Sequence, residues 1–207
     1  MKPHAVITAD IVNSTKLKTG EEKKLISSIK KLLESVKYEF YRGDSFQVYV
    51  KQAQDALKLV LLCRAAAISS GKTTECDIRS GIGIGAVGVR IGSLATAKGE
   101  AFMLSGRAFD SFSKEDRRLV FSLANKAKNI YDIALGLVAE YIDAIFKQMT
   151  AKQAEVIQEL LKGKTQQEIA DKLKKSKSTV SQLVSSAGWP EIESLCTKYE
   201  NIINLLK

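Results

Sequence analysis

Two carboxylates stand where they could do chemistry. Asp10 lies near the end of an apolar run of strand length, His4 to Val12, and Ile11, Val12, Asn13, Ser14 and Thr15 follow it as a loop whose backbone amides could meet phosphate. Asp44 lies at the tip of a hairpin between Tyr38 and Val50 that turns at Arg42-Gly43-Asp44. If the first strand's end and the hairpin tip come together on adjacent strands, Asp10 and Asp44 can grip one divalent ion, Mg or Mn, beside a nucleotide. That is an arrangement for phosphoryl transfer. The plainer alternative is that Gly-Asp is turn chemistry and Asp10 caps a turn. Spacing alone leaves both open.

A second constellation points to a polymer partner. In GKTQQEIADKLKKSKSTVSQLV, residues 163–184, Ile169, Ala170 and Leu173 fall on one helical face, and Val180, Leu183 and Val184 repeat that spacing after a lysine-rich turn. Thr165 with Glu168 three positions on forms a capping box, and Ser176 is placed to cap the second helix. Neither helix can bury its stripe alone, so Ala154, Ile157, Leu160 and Leu161, after Thr150, are read as the supporting helix.

This is the spacing of a helix-turn-helix reader of double-stranded DNA. The second helix would present Lys177, Ser178, Thr179, Ser181, Gln182 and Ser185 to bases or phosphates. Lys162, Lys164, Lys172, Lys174 and Lys175 would be sequence-blind phosphate contacts. The competing reading is a helical hairpin for protein contacts with solvated lysines. At Lys174, where a turn of this kind favours glycine, a left-handed backbone costs of order 1 kcal/mol. Lys175, where an apolar plug is usual, must run its stem outward.

The elements that must position these groups alternate upstream. Helices are expected over Glu21 to Lys37, Gln54 to Ser70 and Ala101 to Phe112, and strands over Asp77 to Val89 and Arg118 to Leu123. The order βαββαβ predicts an α+β, ferredoxin-like sandwich with helices on one face of an antiparallel sheet. Gly83, Gly85 and Gly88 satisfy G-x-G-x-x-G, but Val89-Arg90-Ile91-Gly92 follows in place of a helix start, so a dinucleotide site is refused. The glycines are expected to let a neighbour approach the sheet closely. A long helix, Asn125 to Gln148, then bridges to the reader. This divides the chain into a sheet domain at 1–124, a linking helix at 125–149 and an all-α helix-turn-helix domain at 150–207. After the reader, Trp189-Pro190 breaks the chain's helix, and Ile192, Leu195, Cys196, Tyr199, Ile202, Ile203 and Leu206 trace an apolar stripe. It is expected to pack over the small reader core, with a dimerisation helix as the alternative.

Composition bounds the function. A chain of 207 residues, 45% hydrophobic, can bury a core of about 150 residues plus a small appendage. Its net charge of +9 does not single out the reader, because residues 150–207 hold nine basic and seven acidic side chains. Much of the excess lies upstream, in Lys16, Lys18, Lys23, Lys24, Lys30, Lys31 and Lys37, commonly a solvated helix face. No run approaches the roughly 18 apolar residues of a membrane span, and no signal peptide is seen, so a cytoplasmic protein with no membrane partner is expected. Cys63, Cys76 and Cys196 lack metal spacing and read as free thiols. His4 is the single histidine, which leaves no His-based zinc site or Ser-His catalysis.

The segment from Gly163 through Thr165, Glu168, Ile169, Ala170, Leu173, Ser176, Thr179 and Val180 resembles the tri-helical DNA-binding domains of response regulators and sigma-factor carboxyl regions. Upstream, ITADIVNST, YRGDSF, RSGIGIGAVG and GEAFMLSGRAFD, spread over residues 7–110, resemble the motifs of class III nucleotidyl cyclases. That resemblance implies a nucleotidyl cyclase-like fold, with Asp10 and Asp44 as metal ligands, Ile11 lending a backbone carbonyl and Arg107 stabilising the transition state. The chain departs from the pattern at Met103, in place of an asparagine, and at Phe40, in place of a base-selecting lysine. A methionine cannot orient a ribose and a phenylalanine cannot hydrogen-bond a purine, so efficient cyclisation is not expected. Over nearly its whole length, with Gly43-Asp44-Ser45-Phe46-Gln47 and the carboxyl-terminal reader, the chain resembles SatD-family proteins.

Two functions from different classes follow. One is a homodimeric transcriptional regulator whose degenerate cyclase-like domain senses a nucleotide or supplies a dimer interface. The other is a metal-dependent nucleotide cyclase or related enzyme regulated by its helical tail.

Overall fold

The computed structural model describes residues 3–41, 43–71, 75–88, 91–114, 117–124 and 128–206. Arg42 of the expected hairpin turn, Val89 at the expected end of the glycine-laced strand and Arg90 after it, and Asn125 at the expected start of the linking helix lie outside the described residues. Along the chain run β1 (His4–Val12), α1 (Thr19–Leu33), β2 (Lys37–Tyr41), β3 (Ser45–Val50), α2 (Ala56–Ser70), β4 (Asp77–Gly85), α3 (Glu100–Asp110) and β5 (Leu119–Leu123). Five helices follow: α4 (Lys128–Lys147), α5 (Ala151–Leu161), α6 (Gln166–Leu173), α7 (Lys177–Ser186) and α8 (Trp189–Leu205).

The strands form one sheet in the order β2-β3-β1-β4-β5, with every neighbouring pair antiparallel except β4 and β5. The first four strands have the expected ferredoxin-like βαββαβ order. A parallel partner for β4 cannot be reached by a tight hairpin, and the crossover through α3 supplies the connection.

Alternation along β1 assigns the two faces. Ala5, Ile7, Ala9 and Ile11 join Phe46, Val48, Val50, Ile78, Ile82 and Ile84 in a core sealed by Leu25, Ile29 and Leu33 of α1 and by α2. Val6 and Thr8 point the other way, where Val6 packs with Ala101 and Phe102 of α3 and Thr8 Oγ1 lies 3.0 Å from Ser105 Oγ. Helices therefore cover both faces, which corrects the one-faced sandwich expected from the element order. The cause lies in β4. A Cβ on Gly81 would sit 2.5 Å from the Phe109 nitrogen, and one on Gly83 would sit 2.2 Å from the Ala101 oxygen. These glycines let α3 lie directly on the strand, the close approach anticipated for Gly83 and shared by Gly81.

The α2 sequence is apolar around its circumference, and the packing explains why. The sheet covers one side of α2 and α5 covers the other, so Leu57, Val60, Leu61, Cys63, Ala65, Ala66 and Ala67 are all buried. Helix α5 itself has two apolar sides. Ala154, Ile157 and Leu161 enter the main core, whereas Val156 joins Ile169, Ala170, Val180 and Val184 in a separate small core beneath α6 and α7. The reader is thus held on α2 by the helix that also completes its own core.

Helix α8 departs from expectation. Ile192, Leu195, Tyr199 and Ile203 enter the main core and not the reader core. Tyr199 stacks on Phe121 with ring centroids 5.4 Å apart, and its hydroxyl donates to the Ala53 carbonyl at 2.7 Å. Gly188, at φ 69°, ends the preceding helix, and Pro190 lies in the first turn of α8, where a missing N–H is harmless. Among the described residues no helix is long and apolar enough to cross a membrane.

Candidate functional site

The reader is built by its caps. Thr165 accepts from the Glu168 amide while Glu168 returns a carboxylate to the Thr165 amide, so the capping box at the start of α6 is formed as its spacing predicts. Those hydrogen bonds, led by the Thr165 amide, lower the Glu168 pKa below 4.5. The Ser176 hydroxyl accepts from the Thr179 amide at 3.1 Å and fixes the start of α7. A second box, Thr150 with Gln153 at the start of α5, was not read from the sequence, although its T-x-x-Q spacing is the same signal. Lys174 takes the left-handed conformation expected at the turn, with φ 52°.

Capping and core packing leave one face of α7 open. Val180 and Val184 are buried, and Lys177, Ser178, Thr179, Ser181, Gln182 and Ser185 are exposed. Thr179 also bonds Ser176 through its hydroxyl at 2.8 Å, so part of its role is to hold the cap.

The lysines divide into two groups. Glu159 is 4% exposed and binds Lys162 at 2.8 Å and Lys172 at 2.6 Å. Burial pushes its pKa up, but the hydrogen bonds and charges of Lys162 and Lys172 outweigh that and leave it below 4.5. Lys175 runs its stem along the reader to Glu155 at 3.1 Å, and Lys164 stands 3.6 Å from Glu168 in an exposed pair. Lys174 and Lys177 are exposed and have no acidic partner among the described residues. Of the five lysines assigned to phosphate from the sequence, Lys172 and Lys175 are therefore engaged in bracing α6 and the turn against α5, and Lys162 pairs within the last turn of α5.

The backbone at Asp10 and Asp44 does come together, as expected for the end of the first strand and the hairpin tip. Asp10 on β1 sits opposite Ser45 on β3, and the Ile11 amide donates to the Asp44 carbonyl at 3.2 Å. Each side chain already has a protein partner. Arg79, directly across from Asp10 on β4, holds both carboxylate oxygens, with Nε–Oδ1 at 3.2 Å and Nη2–Oδ2 at 2.5 Å. The Arg79 guanidinium also stacks over Phe109 and Phe112, 5.2 and 5.7 Å from their centroids. Asp44 Oδ2 accepts from the Ser14 hydroxyl at 2.5 Å, and Ser14 is buried. Among the described residues no group of three or more His, Cys, Asp and Glu side chains is gathered to hold a metal. A divalent cation would have to compete with Arg79 for both oxygens of Asp10, whereas on Asp44 the Oδ1 oxygen has only a long, 3.4 Å contact from the Ser45 hydroxyl among the described residues.

The other residues named from the sequence scatter. Asn13, at φ 61°, donates to the Glu75 carbonyl at 2.8 Å, and Thr15 is exposed. Arg107 lies with Met103 on the exposed side of α3, away from the side that meets the sheet. Phe40 stacks on Phe46 at 5.0 Å beneath Lys30, on the sheet face opposite Asp10 and Arg79.

Four charged residues given no role from the sequence, Glu39, Arg64, Asp77 and Asp143, tie neighbouring elements together. Glu39 accepts from the Leu94 amide at 2.7 Å, from Ser93 and from Tyr41, and these bonds lower its pKa. Arg64, fully buried on α2, binds Asp77 through two nitrogens and Asp143 through a third. Asp143 in turn accepts from the amides of Arg118 and Leu119, so α2, β4, β5 and α4 meet at one guanidinium. Beside it opens a cleft of about 470 Å³ whose lining includes Asn13, Glu75, Arg118, Lys147, Thr150 and Ala151.

Comparison with known proteins places one part of the chain. Residues 147–187 match the GerE family, bacterial regulatory proteins of the luxR family. This segment contains α5, α6 and α7, so the chain carries a luxR-type helix-turn-helix. No curated protein sequence matches. Among solved structures, the guanylyl cyclase Cya2 is 19% identical, with 58% of this chain aligned to 74% of that chain at a TM-score of 0.43. A bacterial light-regulated adenylyl cyclase is 14% identical, with 58% of this chain aligned to 43% of that chain at a TM-score of 0.43.

Proposed function

We propose that the chain is a DNA-binding transcription regulator in which the open face of α7 reads the major groove and the sheet unit sets the state of the reader. The observation that carries this is the exposed row Lys177, Ser178, Ser181, Gln182 and Ser185, held in place by caps at Thr165 and Ser176 within the luxR-type segment. Small hydroxyls and an amide suit base edges, and a lysine at the helix start suits phosphate.

Regulation by a nucleotide is supported by the cleft beside Arg64. It is lined by the end of β1 and by the start of α5, so a ligand seated there touches both the sheet unit and the helix that carries the reader. A ligand shifts the reader only through unequal affinity for two arrangements of that junction. A sensing role, as against a metal-dependent nucleotide enzyme, is favoured by Arg79, which already neutralises Asp10.

The test is a selection of duplex DNA by the full chain, followed by fluorescence anisotropy with the enriched sequence. Binding that falls at least tenfold in Ser181→Asp and Gln182→Ala supports the reading. Failure to enrich any sequence rejects it, and unchanged affinity across a panel of nucleotides removes the sensing role alone.

A further inference from the structure

Helix α4 carries two apolar stripes, and only one has a partner within the fold. Leu135, Val138, Ala139, Ile142 and Phe146 are buried in the main core. On the other side Ile130, Ile133, Leu137 and Tyr141 are 71%, 59%, 62% and 52% exposed, and exposed Ala144 continues the row. Four large apolar side chains left open on one helix are unusual for a surface that meets only water.

The spacing says what covers them. Successive steps from 130 to 133, 137, 141 and 144 are three, four, four and three residues, the same read from either end about Leu137. At roughly 100° per residue all five lie within about 40° of the Leu137 direction. We infer that α4 is the interface with a second copy of this chain, the two helices antiparallel about a twofold axis at Leu137. That axis sets Ile130 against the partner's Ala144, Ile133 against the partner's Tyr141 and Leu137 against the partner's Leu137. Every apolar position is then matched by another, as an isologous contact requires.

The exposed parts of these side chains amount to roughly 500 Å² per protomer and about 1,000 Å² for the pair, the lower bound of a specific interface. The alternative dimer helix is already committed, since the apolar side of α8 is buried in the main core. The stripe also runs toward the reader. Tyr141 lines a cleft of about 300 Å³ together with Ser185 and Ser186 at the end of α7, so the pairing of α4 fixes the separation of the two reading helices. The interface does not depend on DNA binding, and its test uses none.

Sedimentation equilibrium of the full chain, without DNA and at tens of micromolar, should give twice the monomer mass. Leu137→Glu should weaken the dimer at least 100-fold while leaving the circular dichroism spectrum and melting profile of a folded chain. Leu137→Cys should cross-link to itself under mild oxidation, and Ile130→Cys should cross-link to an added Ala144→Cys chain but not to itself. A monomeric wild-type chain overturns the inference and leaves the stripe to another protein. A dimer that survives Leu137→Glu, or one in which Ile130→Cys links to itself, also overturns it.

Discussion

The division of the reader's lysines can be tested by salt. Each lysine that neutralises a DNA phosphate contributes about 0.9 to the slope of log affinity against log salt. Lys177, exposed and without an acidic partner among the described residues, is assigned to that role, and so is Lys174. Replacing Lys177 with alanine should reduce the slope by about 0.9 per reader, so that raising salt fourfold weakens the variant about 3.5-fold less than the wild type. The double variant with Lys174→Ala should lose about 1.8, and a dimer engaging two readers should show twice these values.

Lys172 behaves differently. Its amine is 2.6 Å from Glu159, a carboxylate only 5% exposed, and its removal leaves that carboxylate with Lys162 alone. Hydrogen bonds to charged groups are worth about 1.5–3 kcal/mol, and with Lys172 half exposed the expected loss is about 1 kcal/mol. For a chain of this size that lowers the melting temperature by roughly 2–4 °C. Lys172→Ala should therefore melt earlier while keeping the wild-type salt slope, read by anisotropy at five or six salt concentrations. The reasoning fails if Lys172→Ala lowers the slope as much as Lys177→Ala and melts like the wild type.

Further expectations follow from single contacts. Lys174→Gly relieves a left-handed lysine and should stabilise the chain by up to about 1 kcal/mol in urea unfolding, while also lowering the salt slope; a loss of stability would contradict the strained turn. Gly83→Ala places a Cβ within 2.2 Å of the Ala101 oxygen and should cost about 1–3 kcal/mol in the same assay by pushing α3 off the sheet. Because folding lowers the Glu159 pKa, its stabilisation is present above pH 4.5 and is lost as pH falls through the folded value. Glu159→Gln should accordingly be less stable than the wild type near neutrality, and melting curves from about pH 7 to about pH 3 should show the difference closing in acid. Arg64→Met leaves Asp77 and Asp143 without their shared cation and should cost about 3–5 kcal/mol, and a melting temperature within a degree of the wild type would show that the pairing is dispensable.

What could be read from the sequence were features whose physics is local. The Thr165 capping box, the Ser176 cap, the left-handed Lys174 and the bounds of β1 depend on neighbours within a few residues, and they appear where spacing put them. The sheet glycines were legible as a close approach because a strand interior otherwise disfavours glycine. The partners of Asp10 and Glu159 were not legible. Arg79 is 69 positions from Asp10, and only the β1–β4 register sets them opposite each other. Lys172 reaches Glu159 across the angle between α5 and α6, which helical periodicity does not specify. Helix α8 was misplaced for a similar reason, since its apolar stripe shows that it packs but not against which of two cores.

These long-range pairings change how the two halves of the chain relate. A reader on a flexible tether would bind DNA regardless of the sheet unit, and regulation would need a separate contact to interrupt it. Here α5 gives Ile157 and Leu161 to the main core and Val156 to the reader core, so neither core can shift without moving a helix that belongs to both. The buried Arg64 joins α2, β4 and α4 at the same junction, where a small change in the distance between Asp77 and Asp143 alters the pairing of a fully buried guanidinium. Packed interfaces of this kind move between discrete arrangements more readily than they deform continuously, which is the physical requirement for a switch. On the proposed reading the sheet unit acts on DNA without catalytic chemistry at Asp10 and Asp44, through the seat of α5 on α2 and of α4 on β5, which together set the distance between paired copies of α7.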